Sequence, residues 1–555
     1  MKSTNDRQLT HASDVYSPEE MARFRQQGLW RDAVLTDFLS RHAADRPDTL
    51  AIVTDTGGRI TWRELADSVD RLAAGFIALG LKPGDFVGIQ LPNSIEFVQT
   101  YLAIQRAGLR AVTMLSIYRE KDVTFMLGKC GAKAYVAFAR HHGWDFADMA
   151  KRIQPDVPGL SHLIISGASA DSALVSFQQL LGTPPLSPST YAALRPDPDA
   201  ISKVGFTSGT TGSPKGVVHT HNTDLVPPLL MQQAVGLGPD TPIWMPSPIA
   251  HVTGLLFGPY AALLNGAKLV LQDAWDPLRA LELIAVERPV ATVSATPFIA
   301  AMLEVPSRAD YDVTSFRYFM SGGARIPQVL VRRAREEFGW YLLRVFGSAE
   351  APLHTANLSG DPWDKLVERD GRPFPGIEAK IVNPEDRSVA LGPNQSGEYA
   401  TRGPHVFLGY FDDPERTREA RSADGWYYSN DICTIDEDGF VQYVDRIKDI
   451  VNRGGIKVSA LEVENELLSH PAILLAAVVA VPDERLGEKG CAYVVLRPGA
   501  TVTLEQITQH LESRHVTRQK WPEALRIVDA LPTTATGKVR KVELRERYES
   551  EAVTA

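Results

Sequence analysis

An α/β protein is predicted: a large N-terminal domain of parallel, helix-layered sheets with a small β subdomain, then a small α+β domain at the C-terminus. Three observations predict it. From the first strands to about residue 340, helical and strand patterns alternate, a rhythm that gives parallel sheets with helices on their faces. Between 371 and 403 short alternating strands replace that rhythm. Beyond a charged stretch, Asp445-Arg-Ile-Lys-Asp449, a helical run at 462–468 and strand-like runs at 473–481 and 491–496 form a separate unit.

In chain order, residues up to about Trp30 read as a lead-in, and 35–42 show helical spacing. Over 61–79, Leu65, Val69, Leu72, Ala73, Phe76 and Leu79 share one face, and Thr61 with Glu64 makes a capping box. A turn at 80–85 leads to a strand at 86–91, and Pro92-Asn-Ser94 opens a helix through Ala103. Nothing before residue 200 carries a chemical signature.

The length, 555 residues, suits two or more domains. The net charge of −9, with both signs interspersed, gives no electrostatic case for nucleic acid or anionic lipid. Three scattered cysteines (Cys130, Cys433, Cys491) form no CxxC pair, which argues against a disulfide framework or a zinc site and fits a reducing cytoplasm. The polar N-terminus has no apolar signal core, and the longest apolar run, 472–481, is too short to span a bilayer and reads as a buried strand.

The first chemical stretch is Thr207-Ser-Gly-Thr-Thr-Gly-Ser-Pro-Lys-Gly216, after a strand-like approach at 201–206. Gly209, Gly212 and Gly216 free the backbone, the hydroxyls of Thr207, Ser208, Thr210 and Thr211 supply donors, and Lys215 supplies a cation, which together suit a polyphosphate. It is not a Walker A loop, because Pro214 and Gly216 stand where that motif needs glycine and a hydroxyl residue. A Ser/Thr/Gly linker is the plainer alternative, though a linker seldom ends in Pro-Lys-Gly with a β-rich run directly after.

This loop resembles the signature loop of the adenylate-forming superfamily: acyl- and aryl-CoA ligases, carrier-protein-loading adenylation domains and beetle luciferases. Further segments resemble the same family, in its order, from about residue 30 onward. His251, alone readable as a packed core histidine, stands where the family places the gate between acyl site and thiol tunnel, with Val252 after it. Phe319-Met-Ser-Gly-Gly-Ala324, by itself any tight turn, would line adenine and acyl group with Ser321, Gly322, Gly323 and Ala324. In Phe346-Gly-Ser-Ala-Glu350, Phe346 would pack on adenine, Gly347 and Ser348 would line the site, and Glu350 would hold Mg²⁺; Ala349 departs from the family's threonine. Asp431 would accept from the ribose hydroxyls, with Ser429 and Asn430 replacing a Thr-Gly pair, and Arg446 would contact the ribose.

The resemblance also implies a domain division at 1–445 and 446–555, a mobile C-terminal domain and a hinge at Lys448. Arg453, Gly454 and Gly455 would form the loop that meets the thiol, and Lys538, in Leu531-Pro-Thr-Thr-Ala-Thr-Gly-Lys538, would bind acyl carboxylate and α-phosphate. Lys538, Thr207, Glu350 and His251 are the expected catalytic set. ATP, Mg²⁺ and coenzyme A are the expected cofactors and co-substrates, and a small carboxylic acid the partner, with a homodimer left open as the assembly.

No acidic residue lies between Trp244 and Tyr260, where amino-acid-activating relatives keep an aspartate, and Val252 replaces the asparagine of hydroxybenzoate-activating relatives. A pocket without these groups disfavours ammonium- and hydroxyl-bearing acids, which would lose water without a partner. The expected activity is ATP-dependent acid:CoA ligation on an uncharged aliphatic, alicyclic or simple aryl acid. The alternatives are loading of a carrier protein, an adenylate-forming oxidase, or a silent binding protein of the same fold.

Overall fold

The computed structural model describes residues 9–167, 171–207, 214–323, 326–446, 449–453, 456–483, 485–514, 516–533 and 539–553. Two large sheets dominate. In one, the strands Ile201–Thr207, Arg110–Thr113, Phe86–Gln90, Ala134–Phe138 and His162–Ser166 run parallel. In the other, the parallel run is Tyr341–Phe346, Tyr318–Ser321, Ala291–Ser294, Ile243–Met245, Leu269–Leu271 and Leu50–Thr54. Both sheets carry antiparallel edges that the alternation rule does not foresee: Lys215–Thr220 folds back on Ile201–Thr207, and Thr355–Ala356 on Tyr341–Phe346.

The local reasons match the sequence. Helix Trp62–Ala78 begins at Thr61, whose side chain accepts from Glu64 N while the Glu64 carboxylate reaches back, and Leu65, Val69, Leu72, Ala73 and Phe76 are buried. Helix Ile95–Arg106 is capped by Ser94 and runs one turn beyond the expected end. The lead-in proves to be framework. Trp30 is buried with its indole N–H on the Pro404 carbonyl at 3.0 Å, and the Tyr16 hydroxyl donates to the Val406 carbonyl.

The β subdomain is the antiparallel sheet Glu378–Val382, Gly397–Arg402, Tyr427–Ile435 and Val441–Arg446. The last sheet comprises Ile450–Arg453, Ile456–Ser459, Ile473–Asp483, Gly487–Leu496 and Ala524–Ile527, with helices Ala460–Leu468, Leu504–Ser513 and Lys541–Val553. One expectation needs correction here. The run 472–481 is a strand but not uniformly buried: Leu474 and Leu475 are 40% and 48% exposed. The register shifts between Ile473 and Leu475, and such an irregularity turns side chains off the buried face. Among the described residues no helix is long and apolar enough to cross a membrane.

Candidate active site

The hairpin formed by Ile201–Thr207 and Lys215–Thr220 sets Thr207 opposite Lys215. Of the expected phosphate loop, Ser208, Gly209, Thr210, Thr211 and Gly212 lie outside the described residues. At the base, Lys215 Nζ sits 4.8 Å from the ring centroid of Tyr410. Tyr410 belongs to a short strand paired with Val217 and Val218, and its hydroxyl donates to Glu350 Oε1 at 2.8 Å. One tyrosine thus joins the expected cation to the expected metal carboxylate. Burial, then the Glu350 charge, raises its pKa, so it remains a donor.

Glu350 ends the turn that follows strand Tyr341–Phe346. Gly347 is required there for packing, because a Cβ would lie 2.5 Å from Leu353 N. The missing threonine at Ala349 is offset in position, though not in chemistry. The Ala349 carbonyl is held at 2.8 Å by His219 Nε2, from the second strand of the hairpin. Burial pushes His219 down to about 4, so the ring is neutral, and since a carbonyl only accepts, Nε2 carries the proton. The second hairpin strand and the segment carrying Glu350 are pinned to each other by a part-buried hydrogen bond.

Ser348 Oγ donates to the Tyr427 hydroxyl at 3.2 Å. Burial raises the Tyr427 pKa, and the charges of Glu350 and Asp431 add to it, so both carboxylates act on one hydroxyl. Asp431 is buried and lies across the strand pair from Arg446, Oδ1 to Nε 3.3 Å. That partner raises the Arg446 pKa. The two expected ribose residues are thus neighbours. The altered Ser429-Asn430 pair lies in a bulge of strand Tyr427–Ile435 and not in a turn: Asn430 takes φ 59°, and Ser429 Oγ accepts from Asp431 N at 3.1 Å.

Phe346 is 8% exposed and packs on His354, Tyr399 and Tyr443, with centroids 4.9, 5.1 and 5.8 Å away. Most of its surface is spent tying the second large sheet to the β subdomain, which leaves only a rim for a base. The glycine turn has a packing requirement of its own. A Cβ at Gly322 would lie 2.4 Å from the Val345 carbonyl, so the close approach that excludes a side chain is to a neighbouring strand. Gly323 takes φ 81°, Ser321 is buried with its Oγ 3.2 Å from Thr296 Oγ1, and Ala324 lies outside the described residues.

His251 caps the short helix Val252–Leu255, its ring accepting from Thr253 N at 3.4 Å; it and Val252 are half-buried. The acid-free stretch does have a carboxylate beside it. Asp224, from helix His221–Val235, is fully buried, paired with buried Lys203, and accepts from Ser202 Oγ and, at 3.4 Å, from the Tyr260 hydroxyl. Burial opposes its charge, but Lys203, His219 and the Ser202 hydrogen bond together more than offset this and hold the carboxyl below its usual range. The pair is internally neutral.

At the C-terminal side, Arg453 forms an ion pair with Glu523 of its own sheet. Gly454, Gly455, Lys448 and Lys538 lie outside the described residues. Sequence reasoning missed Tyr410 and His219, which no spacing rule flags, and Asp445. The Asp445 carboxylate is buried and accepts from Ser459 Oγ at 2.8 Å and Leu461 N at 3.2 Å, bridging the β subdomain to helix Ala460–Leu468.

Comparison with known proteins identifies the family. The family model "AMP-binding enzyme" matches residues 39–411, and "AMP-binding enzyme C-terminal domain" matches 462–538. The medium-chain fatty-acid–CoA ligase of Escherichia coli K12 is 36% identical, over 96% of this chain and 93% of its own. A salicylyl-CoA synthase/salicylate adenylyltransferase of Streptomyces is 32% identical, over 97% and 98%. The crystal structure of ATP-bound MatB from Rhodopseudomonas palustris superposes with TM-score 0.80 at 26% identity, covering 93% of this chain and 99% of that one. A family model matched over residues 39–411 and a relative 36% identical over 96% of the chain have one common explanation: the chain belongs to the AMP-binding, adenylate-forming enzyme superfamily.

Proposed function

We propose that the protein is an ATP-dependent carboxylic acid:CoA ligase, forming an acyl-adenylate and then an acyl-CoA thioester. The observation that carries this reading is Tyr410, whose ring lies 4.8 Å from Lys215 Nζ and whose hydroxyl donates to Glu350, in a chain of the AMP-binding family. In the first step an acyl carboxylate attacks the ATP α-phosphate and pyrophosphate leaves. Two anions must meet, so the site has to supply cations and donors that are already in place. Thr207 and Lys215 would hold the polyphosphate, Asp431 and Arg446 the ribose, and Lys538 the reacting oxygens. Glu350 is half-buried and offers hard oxygens, one of them oriented by Tyr410, which fits Mg²⁺. When bound, that ion supplies charge that offsets the negative polyphosphate.

For the second step we infer a division at 1–445 and 446–555 with rotation about Lys448. Lys538 leaves, and the Arg453-Gly454-Gly455 turn brings the thiol of coenzyme A past His251. The Asp445 bridge to Ser459 and Leu461 would be remade in this movement. Substituting Lys448 with proline should leave ATP–pyrophosphate exchange intact while thioester formation fails, since proline restricts the backbone that must rotate. Exchange and thioester yield falling together would argue against a hinge at this position.

The internally neutral Lys203–Asp224 pair supports an uncharged acid: aliphatic, alicyclic or simple aryl. A carrier-protein acceptor is the second reading, favoured by the salicylate adenylyltransferase named among the relatives. Free, buried cysteines support a cytoplasmic setting. Pyrophosphate release from a panel of such acids, with coenzyme A or a carrier protein as acceptor, tests the proposal. An uncharged acid with coenzyme A should turn over, and Glu350→Gln should lose about 10²–10³-fold in adenylation. Absence of exchange with every acid would leave a silent binding protein.

A further inference from the structure

The scarcity and spacing of cysteines speak only to sulfur-bound zinc. Another donor set lies at the far end of the first large sheet. Beyond strand Ala134–Phe138, Arg140–His141 pairs antiparallel with Trp144–Asp145, with His141 opposite Trp144. The two linking residues, His142 and Gly143, take φ 45° and 77°, the double positive φ of a type I′ turn. Glycine adopts that geometry freely; a histidine there carries strain. The turn brings two successive imidazoles to one side, with centroids 4.0 Å apart.

Both Nε2 atoms face the same oxygen, Oδ2 of Asp273, at 3.3 Å from His141 and 3.6 Å from His142. Asp273 belongs to the other large sheet, two residues past strand Leu269–Leu271. The three donor atoms all lie within 4.8 Å of one another. Around a tetrahedral ion bound at about 2.0–2.1 Å, ligand atoms stand about 3.3 Å apart, so each imidazole already stands near that spacing from the carboxylate. Two imidazoles and a carboxylate suit a zinc-class ion, not a hard one such as Mg²⁺.

The surroundings are those of a held ligand. Asp273 Oδ1 accepts from Asn93 N at 3.2 Å, and Asp273 N donates to Asp55 Oδ2 at 3.1 Å. The Asn93 amide in turn donates to the Ser247 carbonyl and its oxygen accepts from Ile249 N, two residues from His251. A surface ion pair contributes little, too little to account for a histidine held in the left-handed region.

We propose that His141, His142 and Asp273 bind a zinc-class divalent ion that clips the two large sheets together and steadies the wall carrying His251. The His142 side chain is 64% exposed, so the ion can enter from solvent and keep a water ligand there.

The test uses full-length, chelator-treated protein without nucleotide, dialysed against Zn²⁺ or against Co²⁺ as an optical probe. One ion per chain should be retained, Co²⁺ should show the visible bands of a low-coordinate site, and Zn²⁺ should displace it and raise the thermal midpoint. His142→Asn, which keeps the turn because Asn-Gly is its preferred pair, and Asp273→Asn should each weaken binding by about 10–100-fold or more. His11→Ala, at the other His/Asp grouping (His11, Asp197, Asp199), should leave it unchanged. Retention by His142→Asn equal to that of the parent, or no retained ion in the parent, would overturn the site.

Discussion

Replacing Lys538 with alanine is expected to lower acyl-adenylate formation by about 10²–10³-fold, the effect of removing one preorganised donor from a developing anion. The reasoning is electrostatic. The acyl carboxylate and the α-phosphate repel as they approach, and the expected ammonium would bridge both sets of oxygens. In the second half-reaction the leaving group is AMP, and on the proposed rotation the domain would have turned, so that bridge would no longer be needed. Thioester formation from chemically supplied adenylate should therefore run at close to its normal rate. Single-turnover measurement of each half-reaction separates the two, and equal loss in both would assign Lys538 a general structural part instead.

The second large effect concerns stability. Lys203→Met should destabilise the protein by about 3–5 kcal/mol, because it strands the Asp224 carboxylate without its counter-charge. Both side chains are almost wholly inaccessible, and Asp224 also accepts from Ser202 and Tyr260. Adding Asp224→Asn should recover most of the loss, since an amide keeps an acceptor for the two hydroxyls without a charge. Urea midpoints of the single and double variants measure this. A Lys203→Met protein with the parent's midpoint would mean that the pair contributes nothing to the core.

What the sequence disclosed followed from local rules. Helix Trp62–Ala78 was legible because capping box and apolar stripe agree, and the parallel sheets because helix and strand periods alternate. The hairpin carrying Thr207 and Lys215 was legible as a loop between β-type runs. The hidden part is what only tertiary structure decides. Tyr410 reaches Glu350 across 60 positions and His219 reaches Ala349 across 130, and no short-range pattern encodes either bond. At Gly322 and Gly347 an added Cβ would meet neighbouring backbone, a constraint that no local pattern shows. Asp224 escaped notice because it lies outside the stretch read for substrate charge and enters from a different helix.

The Trp30 anchor has a bearing on biosynthesis. Its indole partner, Pro404, is made 374 residues later. At about 5–20 residues per second on the ribosome, Trp30 and the aromatic rings around it wait roughly 20–75 s before their docking surface exists. During that interval Tyr16, Phe24 and Trp30, which pack together in the finished molecule, form a greasy nascent leader that holdase chaperones can recognise.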